Sequence, residues 1–157
     1  MTNDTVKFLN FFNSSFTEND IDLLLAFPNL EVLQAFRSPI TDKSLEKLAK
    51  LKSLRELSFE GHPITDAGLV AIGTLPNLER LSLEQTKVTD DGLRHLVACP
   101  KLKWLSVVQT AATDKSMEHF KKLNNLQNLF VSRTAISDAA IADLKAALPK
   151  CLVIKDE

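Results

Sequence analysis

Two adjacent carboxylates, those of Asp90 and Asp91, follow the hydroxyl of Thr89 in the stretch KVTDDGL. Such groups can act as an acid–base pair, hold a cation through their oxygens, or begin a helix by accepting hydrogen bonds from its first backbone N–H groups. A carboxylate that recurs along the chain serves the fold rather than one reaction. We therefore predict that Asp90 caps a helix and that Asp91 is an acidic residue of the first turn. At 24-residue intervals, each after Thr or Ser, come Asp42, Asp66, Asp90, Asp114 and Asp138.

Hydroxyl and imidazole groups also recur at this interval, in separate columns. Ser58, Ser82 and Ser106 form a row, but a serine nucleophile needs an adjacent base, and no histidine falls on that row. His95 and His119 share another column, and two histidines without further ligands are a weak indication of a metal site. The chain has no phosphate-binding loop and no dinucleotide motif. We expect no catalytic residue, no metal and no cofactor, and an enzyme is only a remote alternative.

The 24-residue interval is strongest in the apolar residues, which recur in several columns without a gap. One short unit cannot bury its apolar face alone, whereas stacked copies share a continuous core. The period therefore predicts a repeat architecture. Two of the columns are Leu30, Leu54, Leu78, Leu102 and Leu126, and Leu33, Leu57, Leu81, Leu105 and Leu129.

Each unit changes its apolar spacing partway. It begins with LxxLxL, whose final alternation is typical of a short strand. Apolar residues then follow at helical spacing, as at Leu69, Ile72 and Leu75, and Pro76 comes after them as a helix stop signal. A strand and a helix in every unit predict an α/β fold built from one parallel sheet.

The repeat register divides the chain into three stretches of a single domain, residues 1–157. Residues 6–29 match the same columns weakly and are a degenerate N-terminal repeat. Residues 30–149 contain five regular repeats. Residues 150–157 contain the apolar run CLVI, which we interpret as a closing strand whose register has slipped by about one residue.

Two of the units, LRELSFEGHPITDAGL and LERLSLEQTKVTDDGL, resemble the LxxLxLxxTxITDxGL variety of the leucine-rich-repeat family. This variety is familiar from bacterial proteins and is related to the repeats associated with F-box proteins. The resemblance implies a curved solenoid of about six repeats, with a parallel sheet on the concave face and helices on the convex face, that typically binds proteins. One column departs from the family, because Thr86, Thr110 and Thr134 replace the usual asparagine, so we expect a slightly different turn.

Alternate strand residues point away from the helices, onto the open face of the sheet. There we expect Trp104, Val108 and Phe130 to form an exposed apolar patch that binds a partner, with the indole of Trp104 largely accessible and Arg80 against it. Charged side chains between this patch and the first repeat would select the partner. The predicted binding residues are Trp104, Phe130, Val108, Arg80, Glu84, Glu60 and Phe36.

A second apolar cluster on the same face lies at the start of the chain and comprises Phe8, Phe12, Val32 and Phe36. It serves either as a cap for the first repeat or as an interface. We accordingly expect a monomer, or weak self-association through this N-terminal phenylalanine cluster.

Composition narrows the class of partner. The net charge of −1 argues against binding nucleic acid or an anionic membrane through bulk charge. Two cysteines, Cys99 and Cys151, are too few for a disulfide-stapled domain, and no signal-like segment is visible, so we expect a cytoplasmic protein. The sequence favours a non-enzymatic protein-interaction module, with a substrate-recognition or adaptor subunit of a larger complex as the alternative.

Overall fold

Strands and helices alternate along the chain. The structure, a computed structural model, describes residues 5–12, 20–36 and 40–156, without the side chains of Phe12 and Phe36. Its strands are β1 (Phe8–Phe12), β2 (Val32–Phe36), β3 (Glu56–Ser58), β4 (Arg80–Ser82), β5 (Trp104–Ser106), β6 (Asn128–Phe130) and β7 (Leu152–Ile154). Its α-helices are α1 (Ile21–Leu24), α2 (Asp42–Leu48), α3 (Asp66–Ile72), α4 (Asp90–Leu93), α5 (Met117–Phe120) and α6 (Asp138–Ala147).

The strands form one seven-stranded parallel sheet in chain order, as the repeat period predicts. Every pairing keeps the 24-residue register, for example Leu57 opposite Leu81. The predicted slip of the closing strand is wrong, because Val153 of β7 pairs with Leu129 of β6 in the unchanged register. The apolar run at residues 151–154 fits either alignment, and the structure places Cys151 in the core just ahead of the strand.

The inward-facing columns form one continuous core between the sheet and the helices. Leu57, Leu81 and Leu105 are buried at the centres of successive strands, and their side chains have at most 1% exposure. Helix residues at the predicted spacing, such as Leu69 and Ile72, close the core from the other side. Burying a leucine side chain contributes about 1.5–3 kcal/mol, so these columns supply the main driving force for stacking.

The helices vary along the chain although the repeat length does not. The third regular repeat has only a short α4, which continues as a 3-10 helix over Arg94–Ala98. In the fourth regular repeat, the helical segment begins with a 3-10 turn over Asp114–Ser116 and continues as α5. Within the part of the chain that the structure describes, no helix has the length and apolar character that crossing a bilayer requires.

A tight turn follows the strand segment in four repeats, and a residue in it has left-handed backbone geometry, at Gly61, Gln85, Gln109 and Arg133. The threonine that follows Gln85 donates from its hydroxyl to the Leu83 carbonyl at 2.7 Å, and Thr110 and Thr134 do the same in their own repeats. Threonine therefore closes the turn of its own repeat, and the predicted difference from the turn with asparagine stays a prediction.

Alternating charges join the repeats just before the strands begin. Lys7 binds Glu31 at 2.8 Å, Arg55 lies between Glu31 and Glu79 at 3.4 and 2.7 Å, and Lys103 binds Glu79 at 2.8 Å. Hydrogen bonds from Lys103 and Arg55 hold the pKa of Glu79 below its ordinary value. The ladder is solvent-exposed, so it favours the register more than it adds stability.

Candidate binding face

An aromatic stack with a cation above it lies on the open face. The guanidinium carbon of Arg80 is 4.7 Å from the centre of the Trp104 ring, and the ring centres of Trp104 and Phe130 are 4.9 Å apart with their planes tilted by 42°. Arg80 of β4 is directly opposite Trp104 of β5, whereas Phe130 of β6 is opposite Ser106 and reaches the indole diagonally on the same face. Cation–π and aromatic contacts of this kind contribute about 0.5–1.5 kcal/mol each.

Polar contacts extend this stack towards the first repeat. Arg80 Nε lies 3.3 Å from a carboxylate oxygen of Glu56, and the Gln34 amide donates to Glu56 at 2.8 Å. The Asn10 amide then donates to Gln34 at 3.1 Å. An unbroken series of side-chain contacts therefore crosses the open face from β1 to β6, and it holds Arg80 over the indole.

The open face is hollowed at its centre into a shallow depression of about 220 Å³. Glu60 and Glu84 lie just past the ends of β3 and β4. The Gly61 N–H donates to the Glu84 carbonyl at 2.9 Å, and this bond keeps the two segments of the chain adjacent. Three glutamates and one arginine line this hollow, so it has a net negative charge. Its lining is Gln34, Glu56, Leu57, Ser58, Glu60, Arg80, Leu81, Ser82, Glu84 and Trp104.

The structure brings most of the predicted binding residues together. Arg80, Trp104 and Phe130 are in contact, and Glu60 and Glu84 line the same depression as Arg80 and Trp104. Their role in binding stays a prediction.

The remaining predicted residues lie elsewhere on the face. Val108 lies two residues beyond the end of β5 and is partly buried. Its carbonyl accepts the Gln85 N–H at 3.0 Å. Phe36 ends β2, and its side chain, like that of Phe12, lies outside the described part. Of the predicted N-terminal phenylalanine cluster, Phe8 is 55% exposed and Val32 is partly buried.

The expectation that Trp104 is largely exposed is wrong, because its side chain is partly buried. Strand alternation correctly puts it on the open face, away from the core. There Arg80 and Phe130 cover it from both neighbouring strands. The indole thus belongs to a preformed cluster, and the accessible part of that cluster is the surface a partner would meet.

Beneath this cluster lies a buried hydroxyl, that of Ser106, which belongs to the serine row seen in the sequence. Ser106 is two residues after Trp104 and directly opposite Phe130, so all three side chains share one face. Its Oγ atom is fully buried and has no hydrogen-bond partner among the described residues. An unsatisfied buried hydroxyl costs about 1–3 kcal/mol, and only the contacts of the folded protein reveal it.

The aspartates of the repeated column hold consecutive repeats together. Thr89, rather than Asp90, caps α4, since its hydroxyl accepts the Asp91 N–H at 3.3 Å. Asp90 is the first helical residue, and its carboxylate accepts the N–H and hydroxyl of Thr113 in the next repeat at 2.8 and 2.6 Å. The prediction that Asp90 caps its own helix is therefore wrong in detail, although its role is structural. Asp42, Asp66 and Asp114 make equivalent bonds.

The cysteine and histidine side chains that could bind a metal or act in catalysis lie in the core or on the helix side of the sheet. Cys99 packs in the core, and burial raises the pKa of its thiol to about 11. His62 is buried, with Nδ1 3.0 Å from the Glu60 carbonyl and its ring edge-on to Phe59. His95 and His119 are partly buried on the helix side. Within residues 5–12, 20–36 and 40–156, no three His, Cys, Asp or Glu side chains are grouped so that they could hold a metal ion.

Similarity to known proteins is clearest in the repeats themselves. The leucine-rich-repeat family model matches residues 50–73 and 74–97. Among curated protein sequences, none matches the chain significantly.

Solved structures of bacterial leucine-rich-repeat proteins share the fold. A leucine-rich-repeat protein of Leptospira interrogans has a TM-score of 0.69 and 22% identity over 96% of this chain and 43% of its own. Internalin C2 of Listeria monocytogenes has a TM-score of 0.72 and 22% identity over 99% of this chain and 75% of its own. A second internalin of that organism has a TM-score of 0.66 and 26% identity over 85% of this chain and 36% of its own. This chain thus spans less than half the length of two of the three.

At these identities the structural likeness establishes the fold and not the activity. The family match supplies the repeat type for residues 50–97, and the described strands continue the same register on both sides of that segment. Leucine-rich-repeat domains generally bind proteins. The predicted family and fold are confirmed: the chain is a leucine-rich-repeat protein whose parallel sheet leaves one face open.

Proposed function

We propose that this protein is a non-enzymatic interaction module that binds a protein partner across the open face of its sheet. The observation that carries the proposal is the Arg80–Trp104–Phe130 stack, which joins three strands in a fixed arrangement before any partner arrives. Aromatic residues and arginine are the residue types most enriched in interface hot spots. A stack that is already ordered loses little side-chain entropy on binding.

Two further features support this reading. The depression beside the stack is shallow and open, and at about 220 Å³ it is smaller than the roughly 300–1,000 Å³ of most small-molecule pockets. It also lacks an imidazole, since none of the three histidines lines it. A surface of this shape suits side chains that project from a partner. As part of the proposal we retain a cytoplasmic location, which the unpaired, buried Cys99 and Cys151 support.

The test compares partner capture by the wild type and two variants. Trp104→Ala removes the centre of the stack, whereas Val70→Ala shortens an exposed apolar side chain on helix α3, away from the open face. We expect Trp104→Ala to weaken capture by about thirtyfold, corresponding to a hot-spot loss of about 2 kcal/mol, and Val70→Ala to leave it unchanged. Far-UV circular dichroism must show both variants folded. Equal capture by all three proteins would refute the proposed binding face.

A further inference from the structure

We propose that the depression between Glu60, Glu84 and Trp104 receives the cationic side chain, lysine or arginine, of an extended peptide segment of the partner. This inference rests on the proposed function and specifies the chemistry of the partner that the open face takes.

The first argument is charge. Glu60 and Glu84 are adjacent on neighbouring chains of the sheet, both are partly buried, and neither forms an ion pair within the described part of the chain. Nearby Arg80 is already engaged by Glu56 and by the Trp104 ring. Two carboxylates that line one depression without a cation partner in the described chain favour a positive charge placed there.

The second argument is an unused hydrogen-bonding group at the bottom of the depression. Ser82 lines it from β4, and its side chain is more than nine-tenths buried. No described residue forms a hydrogen bond with its hydroxyl. The Ser82 Oγ atom is not among the fully buried atoms without a partner, so it is reachable from the depression and can accept a hydrogen bond from a ligand. Ammonium and guanidinium groups supply donors only, and the Ser82 oxygen can accept from either.

The third argument concerns the rest of the partner's side chain. Lysine and arginine carry a long apolar stem below the charge. The depression has Trp104 on one side and the acidic pair on the other, with Leu57 and Leu81 beneath. Because Arg80 covers the indole on this side, the stem would lie along the floor of the depression beside the Arg80–Trp104 pair, with its charged end at Glu60 and Glu84. The depression is therefore matched to a long cationic side chain better than to an acidic or purely apolar one.

The experiment measures binding of the fluorescently labelled protein to immobilised heptapeptide pools. Each pool has three randomised positions on either side of a fixed central residue, which is arginine, lysine, citrulline or glutamate. Citrulline keeps the shape of arginine without its charge. We expect the arginine and lysine pools to bind about tenfold or more tightly than the citrulline and glutamate pools, as the loss of a charge-assisted hydrogen bond implies.

Variants then locate the preference. Glu60→Gln and Glu84→Gln should each reduce the ratio of arginine to citrulline binding, and the double variant should bring it close to one. Glu46→Gln, an equal change of charge on the exposed surface of helix α2, should leave the ratio unchanged.

The outcomes separate this inference from the proposed function. Pools that bind equally well, in a manner that Trp104→Ala abolishes, would overturn the cationic site while leaving the interaction face intact. A charge preference that survives the double glutamate variant would also overturn it, since the cation would then bind elsewhere. Failure of the arginine and lysine pools to bind at all would overturn the inference as well, and partner capture would still decide the proposed function on its own.

Discussion

The carboxylate of Asp90 accepts hydrogen bonds from both the backbone N–H and the hydroxyl of Thr113, 23 residues later in the chain. Ser116, three residues further on, donates a third hydrogen bond to the same carboxylate. Thr113 in turn caps its own helix by accepting the Lys115 N–H at 3.3 Å. One aspartate thus orients the capping residue of the following repeat, and this relationship ties helix capping to the stacking of repeats.

Replacing Asp90 should therefore cost more than the loss of a simple cap. Asp90→Ala leaves the N–H and hydroxyl of Thr113 and the buried Ser116 hydroxyl without their acceptor, so we expect a loss of about 2–4 kcal/mol. Asp138→Ala is the matched control, because Asp138 occupies the same column but only pairs with Lys155 on the surface. Its loss should be much smaller, because an exposed ion pair contributes little to stability. Urea denaturation measures both, and equal losses would contradict the inter-repeat role.

The same carboxylate should make stability depend on pH. Burial alone would raise the pKa of Asp90, but the hydrogen bonds from Ser116 and Thr113 outweigh it, and its pKa is lowered. A group with a lowered folded-state pKa stabilises the fold above its unfolded value of about 3.9 and loses that contribution as the pH falls through the folded value. We expect the free energy of unfolding to fall on acidification below about pH 4. The fall should be less steep in Asp90→Ala, and parallel pH profiles would show that Asp90 does not contribute.

The period predicts buried columns well because burial in this fold is decided by position within the repeat. Leu81 was expected inside and is fully buried. The recurrence of the aspartate column indicates a structural role, but it does not show whether each aspartate bonds within its own repeat. A Thr–Asp pair repeated every 24 residues fits a bond within one repeat as well as a bond to the next. Only the fold shows that Asp90 reaches Thr113.

The candidate site was predictable in outline, and its contacts were not. Strand alternation put Trp104 and Glu84 on the open face, because it depends only on backbone geometry. How far Arg80 and Phe130 cover the indole depends on side-chain rotamers and on neighbours contributed by other repeats. The same holds for the absence of an ion pair at Glu84 within the described chain, since an arginine only four residues away is engaged by Glu56 instead.

Gly92, the third residue of helix α4, should tolerate no side chain. A Cβ atom at Gly92 would lie 2.8 Å from the Asp66 Cα and closer still to its carboxylate, which is bonded to Thr89. We expect Gly92→Ala to cost about 1–3 kcal/mol through this overpacking. In a double-mutant cycle, the loss of stability in the double variant Gly92→Ala/Asp66→Ala should be smaller than the sum of the two single losses. Both single substitutions disrupt the Asp66–Thr89 bonds, so their effects overlap.

Gly61 provides the control for the Gly92 substitution. A Cβ there has nothing within 4 Å, and its cost should come only from the left-handed backbone, at φ 74°. We expect Gly61→Ala to cost about 1–2 kcal/mol and to be additive with Asp66→Ala, since the two positions share no partner. Thermal or urea unfolding of the single and double variants measures these differences. If the losses from Gly92→Ala and Asp66→Ala were also additive, the contact between a Cβ at Gly92 and Asp66 would not be the cause of the loss at Gly92.

Two serines with equal burial should respond in opposite directions to the same substitution. Ser106 and Ser116 are both fully buried, but the Ser116 hydroxyl donates to Asp90, whereas the Ser106 hydroxyl lacks a partner in the described chain. Removing an unsatisfied buried hydroxyl relieves its desolvation cost, so Ser106→Ala should stabilise the protein by about 1 kcal/mol. Removing a hydroxyl that donates to a carboxylate should destabilise it, so Ser116→Ala should cost about 1.5–3 kcal/mol. The small cavity is common to both changes, which leaves hydrogen bonding as the difference. Urea unfolding monitored by circular dichroism decides the signs, and a loss of stability in Ser106→Ala would mean that its hydroxyl has a partner in solution beneath Trp104 and Phe130.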